Sequence, residues 1–320
     1  MCHAHRELRR TVLAAGPMVL LAVVLIAGCP QKPQESTPPA QPTTGPGATS
    51  AGPAKAAPSG SATVIQAKGS DTLLQVAQAL AEEYRKQHPE LEVSVSGGGT
   101  GTGFQALIEG TTDIADASRK ITDEETQAAK AKGIEPVEHL VGYDGIAVIV
   151  NKANPIKQIT IDQLSDLFVG QTKDWKALGG TGEVVLVSRD STSGTYAYFK
   201  ENVVQKGDKK STRDYAATAV MVPSNTQVRD QVAQTKTAIG YIGLGYLDTS
   251  VKAVPIVDKA GKAVLPSIAT VRDNTYPISR PLFMYTKQDI TPAIQAYLDW
   301  IVGPEGQKLV EKEGFVPLSK

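Results

Sequence analysis

Three short segments of the chain carry the residue types that hold a small anion: Gly69-Ser70-Asp71-Thr72-Leu73, Ser96-Gly97-Gly98-Gly99-Thr100-Gly101-Thr102-Gly103, and Arg189-Asp190-Ser191-Thr192-Ser193-Gly194-Thr195. Each follows a strand-like run and precedes a helix-like one. Each therefore offers backbone N–H groups at a helix start, short hydroxyl donors, and no bulk against close approach. One such loop is ordinarily a turn or a cap. Three in one chain, the third led by Arg189, point to binding of a tetrahedral oxyanion.

Other chemistry has little material. No Lys follows the glycines of the second loop, which excludes a P-loop, and Phe104 stands where the last glycine of a dinucleotide fingerprint belongs. Beyond residue 62 the only histidines are His88 and His139. His88 reads as a solvated helix end, and His139, in the strand-like Pro136-Val-Glu-His-Leu140, as structural. Ser193 lacks the G-x-S-x-G elbow because position 191 is serine. No His, Cys and carboxylate set has zinc spacing. No catalytic residue, cofactor or metal is expected. The chain has 33 Lys+Arg against 33 Asp+Glu, which argues against a polybasic nucleic-acid binder.

The elements around the loops alternate. Leu73, Val76, Ala77, Leu80, Ala81 and Tyr84 recur at helical spacing, and Leu91-Glu-Val-Ser-Val-Ser96 alternates as a half-buried strand does. Thr122-Asp-Glu-Glu125 is a capping box, and Thr160 with Gln163 caps a further short helix through Phe168. Strands are predicted at residues 113–117, 145–150, 184–187, 238–242, 253–257 and 282–285. Helices are predicted after Gly194 and from Thr291-Pro292 through Ile301. The pattern is that of an α/β protein with helices covering both faces of mostly parallel sheets, without internal repeats.

The chain begins differently. Arg6, Arg9 and Arg10 precede an apolar run from Met18 to Gly28, which reads as an export signal and is short of the ~20 residues of a membrane span. Leu25-Ile26-Ala27-Gly28-Cys29 resembles a bacterial lipobox, implying a signal peptide over 1–28 and lipidation of Cys29. Loss of Arg6, Glu7, Arg9 and Arg10 with that segment leaves 30 basic and 32 acidic side chains. Residues 29–61 are rich in Pro, Gly, Ala and Thr with almost no large apolar side chains, the composition of a disordered tether.

Gly69-Ser-Asp-Thr, Ser96-Gly-Gly-Gly-Thr-Gly, Asp113-Ile-Ala-Asp-Ala-Ser-Arg119, Gly142-Tyr-Asp-Gly-Ile-Ala-Val148, Arg189-Asp-Ser-Thr-Ser-Gly-Thr195 and Ile239-Gly-Tyr-Ile-Gly243 occur in this order. Together they closely resemble the phosphate-binding lipoproteins of bacterial ABC phosphate importers, from about Thr63 onward. The resemblance implies a two-lobed, type II-like periplasmic binding protein in which each lobe is a mixed sheet flanked by helices. The chain would cross between lobes twice, near Gly142–Val148 and Thr275–Met284, giving lobe 1 as 62–143 plus 276–320 and lobe 2 as 144–275. It also implies inorganic phosphate and the importer's permease as partners, an exported protein held at the membrane by its lipid, and a monomer.

By the same resemblance Thr72 and Leu73, with Ser70 adjacent, form the first binding loop. Thr100 with Gly99 and Gly101 forms the glycine loop, Arg189 supplies the arginine, and Ser193, Gly194 and Thr195 supply the helix start. The best-known members carry a binding Asp where this chain has Ser118, followed by Arg119. Phosphate keeps a proton it can donate and sulfate has none, so a pocket carboxylate separates them. Asp144 is the first candidate for it and Asp71 the second, unless Asp71 merely caps a helix starting at Thr72. Arg119 is either a second cation for the anion or half of a salt bridge. Two other readings stay open: another oxyanion such as sulfate or molybdate, and a phosphatase or phosphate-sensing lipoprotein on the same scaffold.

Overall fold

The computed structural model describes residues 63–318. The expected signal peptide, the lipidation site Cys29 and the whole of the expected tether lie outside the described residues. The chain runs β1 (Thr63–Gly69), α1 (Leu74–Gln87), β2 (Leu91–Ser96), α2 (Thr100–Glu109), β3 (Ile114–Ala117), α3 (Asp123–Ala131) and β4 (Val137–Val150). It continues with β5 (Ile159–Thr160), α4 (Ile161–Phe168), β6 (Val185–Arg189), α5 (Gly194–Phe199), β7 (Val220–Val222), α6 (Asn225–Gln234) and β8 (Ala238–Gly243). Then follow β9 (Lys252–Ala253), β10 (Ile256–Val257), β11 (Ala263–Val264), α7 (Ile268–Arg272), β12 (Ser279–Thr286), α8 (Pro292–Val302) and α9 (Pro304–Lys312).

Local sequence explains most boundaries. Thr122 and Glu125 exchange side-chain and backbone hydrogen bonds as a capping box opening α3, and Thr160 and Gln163 do the same for α4. Thr291 caps α8, with Pro292 at its first position. Val76, Ala77, Leu80, Ala81 and Tyr84 are the buried face of α1. The predicted strand 253–257 is in fact two: Pro255 separates β9, which pairs with β4, from β10, which pairs with β5 and β11.

One continuous path of strands, β2-β1-β3-β12-β4-β8-β6-β7, spans the molecule. Pairing is parallel at both ends, where β1 lies between β2 and β3 and β6 between β7 and β8. At the centre every pairing of β12 and β4 is antiparallel. The expectation of mostly parallel sheets is therefore corrected to a mixed one. The end strands come from strand–helix–strand units, which must pair in parallel, whereas β4 and β12 return between the two halves.

The 14-residue β4 joins the halves. Its residues 137–145 pair with β12, and Ile146–Val150 pair with β8. The polar segment around His139 and the apolar run after Gly145, read separately from sequence, are thus one strand. Ile146 to Val150 are fully buried because helices cover both faces there. Each half has its own apolar interior. Ile65, Leu80, Tyr84, Ile114, Met284 and Tyr297 pack in one, and Val148, Leu167, Phe168, Phe199, Ile239 and Tyr241 in the other. The end of the described chain is tied to the crossing strand by reciprocal backbone hydrogen bonds of 2.8 and 2.9 Å between Tyr143 and Val316.

Candidate functional site

The three anion loops sit at the ends of β1, β2 and β6, and a fourth segment, Ser118-Arg119, follows β3. The fold brings them together across the two halves. Ser70 Oγ donates to Ser118 Oγ at 2.9 Å, and the Ser118 amide donates to Thr100 Oγ1 at 3.1 Å. Thr72 Oγ1, after β1, lies 2.7 Å from Thr195 Oγ1, at the start of α5. Ser70, Thr72, Thr100, Ser118, Ser193 and Thr195 are all buried. Hydroxyls hidden from water must spend their donors on one another or on a ligand.

Gly194 shows how closely the halves meet. A Cβ there would stand 2.5 Å from both Ser118 Oγ and Thr100 Oγ1. Gly99, with φ of 92°, faces Thr192 in the same way: a Cβ would come within 2.5 Å of its Oγ1. Only glycine fits at either point. Ser193 caps α5 by accepting from the Thr195 and Tyr196 amides, which leaves its O–H free to donate. Thr100 and Gly194 open α2 and α5, where the first N–H groups have no partner within the helix. Not every expected N–H is available. The Leu73 amide goes to the Ser70 carbonyl, Gly99 to the Gly69 carbonyl and Gly101 to the Thr192 carbonyl. These three amides hold the loops in shape, and the Leu73 side chain belongs to the apolar interior.

Arg189 is fully buried at the end of β6. Its Nη2 donates to Asp71 Oδ2 at 3.1 Å and to the Pro223 carbonyl, while Nε and Nη1 have no partner among the described residues. Burial pulls its pKa down, Asp71 opposes that, and Arg280 adds a like-charge push. Its ordinary value is so high that the guanidinium stays charged. Asp71 does not cap a helix, which corrects that alternative: α1 begins at Leu74 without a side-chain cap, and Asp71 Oδ1 accepts from the Gly98 amide instead. Arg119 is engaged too. Its two Nη atoms each reach Glu125 at 2.8 Å, and its guanidinium lies 5.2 Å from the Phe104 ring centre, so the salt-bridge alternative describes what the structure contains.

Asp144 is fully buried, and both of its oxygens have partners. Oδ1 accepts from the Leu244 amide at 2.9 Å, and Oδ2 from Arg280 Nη2 at 2.8 Å and Nε at 3.2 Å. Burial pushes this carboxyl up, with Arg280 and the amide pulling against it. Sequence reasoning missed Arg280. It lies on β12, is fully buried, and also donates to Thr72 Oγ1, Thr195 Oγ1 and the Ser118 carbonyl. The available signal was a lone arginine at the head of the apolar strand Leu282-Phe-Met-Tyr285, inside the segment expected to cross between lobes. No group of His, Cys, Asp and Glu among the described residues is arranged to hold a metal ion.

Two α/β halves joined by central strands, with buried hydroxyls, glycines and an arginine converging between them, define a two-lobed solute-binding protein. The chain belongs to the PBP superfamily, whose domain model matches residues 43–305, and within it to the family of PstS phosphate-binding proteins. It is 35% identical to the phosphate-binding protein PstS of Pseudomonas aeruginosa over 79% of this chain and 83% of that one, and 33% identical to PstS of Staphylococcus epidermidis over 79% and 78%. A Clostridium perfringens substrate-binding protein, assigned to a phosphate ABC transporter and crystallised with phosphate, superposes with a TM-score of 0.73 at 30% identity, over 80% of this chain and 100% of its own. An ABC-type phosphate transport receptor from Vibrio cholerae gives 0.65 at 29%, again over 80% and 100%. The family is one of binding proteins, not of enzymes.

Proposed function

We infer that this chain binds inorganic phosphate between its two halves and delivers it to an ABC permease for import. The observation that carries this reading is Arg189. A fully buried guanidinium with two unpartnered donor nitrogens is costly unless an acceptor arrives. The carboxylate holding its third nitrogen, Asp71, lies between Ser70 and Thr72 in the first binding loop. Phosphate supplies four acceptor oxygens for Arg189, for the hydroxyls of Thr100, Ser118 and Ser193, for the one hydrogen the Thr72–Thr195 pair leaves free, and for the helix-start amides of Thr100 and Gly194, while Ser70 supports the site by donating to Ser118. Charged hydrogen bonds contribute about 1.5–3 kcal/mol each, so a few account for the roughly −8 kcal/mol of a micromolar complex.

Selectivity comes from a carboxylate that accepts the phosphate proton. Asp71 fits this role better than Asp144: each Asp71 oxygen takes one donor, from Gly98 or from Arg189, whereas the two oxygens of Asp144 take three from Arg280 and Leu244. Lobe boundaries at 143/144 and 275/276 place β1–β3 and the chain end in one lobe and β5–β11 in the other, which close on the anion by hinge motion at β4 and β12. No helix among the described residues is long and apolar enough to cross a membrane. The lipobox supports an exported protein anchored through Cys29, with 29–61 as its tether. Calorimetric titration with phosphate and with sulfate, across pH, tests the reading. Phosphate binds at least about a hundredfold tighter; equal affinities would overturn the proton-acceptor argument.

A further inference from the structure

Arg280 concentrates contacts from the whole cleft on one side chain. Its Nη2 has three acceptors within 3.1 Å: Asp144 Oδ2, Thr72 Oγ1 and Thr195 Oγ1. A guanidinium nitrogen carries two hydrogens. One is directed to Asp144, which Nε also reaches, so the other is shared by the two threonine oxygens. Sharing is possible because those oxygens are only 2.7 Å apart. Thr72 follows β1 in one half and Thr195 opens α5 in the other, while Arg280 lies on β12 between them. The shared bond therefore exists only when the halves are together. Nη1 adds the carbonyl of Ser118 at 3.0 Å, and the Tyr198 ring lies 5.9 Å from the guanidinium carbon.

We propose that Arg280 is a positioning residue that couples lobe closure to the orientation of the Thr72 and Thr195 hydroxyls. A threonine oxygen that accepts from a fixed guanidinium must turn its own hydrogen away from it. With that guanidinium hydrogen shared between them and one hydroxyl donating to the other at 2.7 Å, the pair keeps a single free O–H, and Arg280 makes it a donor facing away from β12. Asp144 anchors the guanidinium and neutralises it, so that Arg280 orders this donor while Arg189 meets the anion. A second cation bound to a carboxylate and acting through hydroxyls adds geometric selection without adding net charge. The ligand assignment in this proposal rests on the phosphate reading above; the closure assignment does not.

The test uses the full-length chain. Arg280→Gln alone strands the Asp144 carboxylate in the interior, so the main variant is Asp144→Asn/Arg280→Gln, which removes both charges together. Phosphate affinity is read by calorimetry, and closure by hydrogen exchange at residues 70–74 and 193–196 without ligand. The expected result is a melting temperature near that of the unsubstituted chain, about tenfold or greater loss of phosphate affinity, and faster exchange in both segments. Unchanged affinity together with unchanged protection would overturn the proposal. If the double variant does not fold, a cycle of Thr72→Val and Thr195→Val in the native and Arg280→Lys backgrounds decides. Strong non-additivity supports the coupling, and additive losses refute it. Should the unsubstituted chain fail to bind phosphate, the functional reading falls, and the exchange comparison still settles the role of Arg280.

Discussion

Arg189 Nη2 lies 3.1 Å from Asp71 Oδ2, an ion pair whose two members come from opposite halves of the sheet. The Asp71 carbonyl also accepts from Tyr246, at 2.6 Å, on the Arg189 side. The loop after β1 is therefore clasped by the other half through its backbone and its side chain together. Because Arg189 is buried and Asp71 nearly so, solvent does little to weaken the pair.

Removing the fork should weaken binding most directly. Arg189→Ala lowers phosphate affinity by more than about tenfold in calorimetry, and Arg189→Lys recovers only part of it because the planar donor geometry is gone. Wild-type affinity in the alanine variant would mean that the anion binds elsewhere.

Asp71→Asn should act on discrimination more than on affinity. The amide cannot repel sulfate as a carboxylate does, so the phosphate-to-sulfate ratio falls by about tenfold or more. If Asp144→Asn narrows the ratio and Asp71→Asn does not, the two carboxylates exchange roles.

Gly194→Ala places a methyl group where two hydroxyl oxygens stand 2.5 Å away. Such overpacking costs about 1–3 kcal/mol, and here it is relieved by separating the halves. Phosphate affinity therefore falls by about tenfold or more, while each half keeps its helices by circular dichroism. Retained tight binding would show that Ser118 and Thr100 do not need to meet Gly194.

Stability should respond to pH through Asp116. This carboxyl is buried on β3, its Oδ1 has no partner among the described residues, and burial raises its pKa from 3.8 to about 7. The folded state then holds the proton over a range where the unfolded chain has lost it. The stabilisation is complete below about pH 4 and is lost as pH rises through about 7. At about 1.4 kcal/mol per pH unit the loss is a few kcal/mol. Asp116→Asn should melt several degrees higher than the native chain at about pH 8, with the difference shrinking toward about pH 4. A pH-independent difference would place the Asp116 proton elsewhere.

Much of this molecule is legible in local sequence. Thr122-Asp-Glu-Glu125, Thr160 with Gln163 and Thr291-Pro292 mark helix starts because capping is settled within four residues. The Gly, Ser and Thr loops were readable as donors for an anion because a helix start needs no distant partner to expose its N–H groups. Charge and contact partners were less legible. Nothing near Asp144 in sequence shows that its oxygens are taken by Arg280, 136 positions away, nor that Asp71 meets Arg189 across 118. Arg119 read equally well as a ligand or as the partner of Glu125, since a guanidinium seeks whichever acceptor packing brings near. The amides of Gly99 and Gly101 looked free and are not, because loops from separate elements close on one another only after the sheet has formed; the Leu73 amide is taken by Ser70 within its own loop. Backbone propensity and side-chain chemistry are properties of neighbours along the chain; burial, and therefore which polar group faces which, arises only when β4 and β12 draw the two halves together.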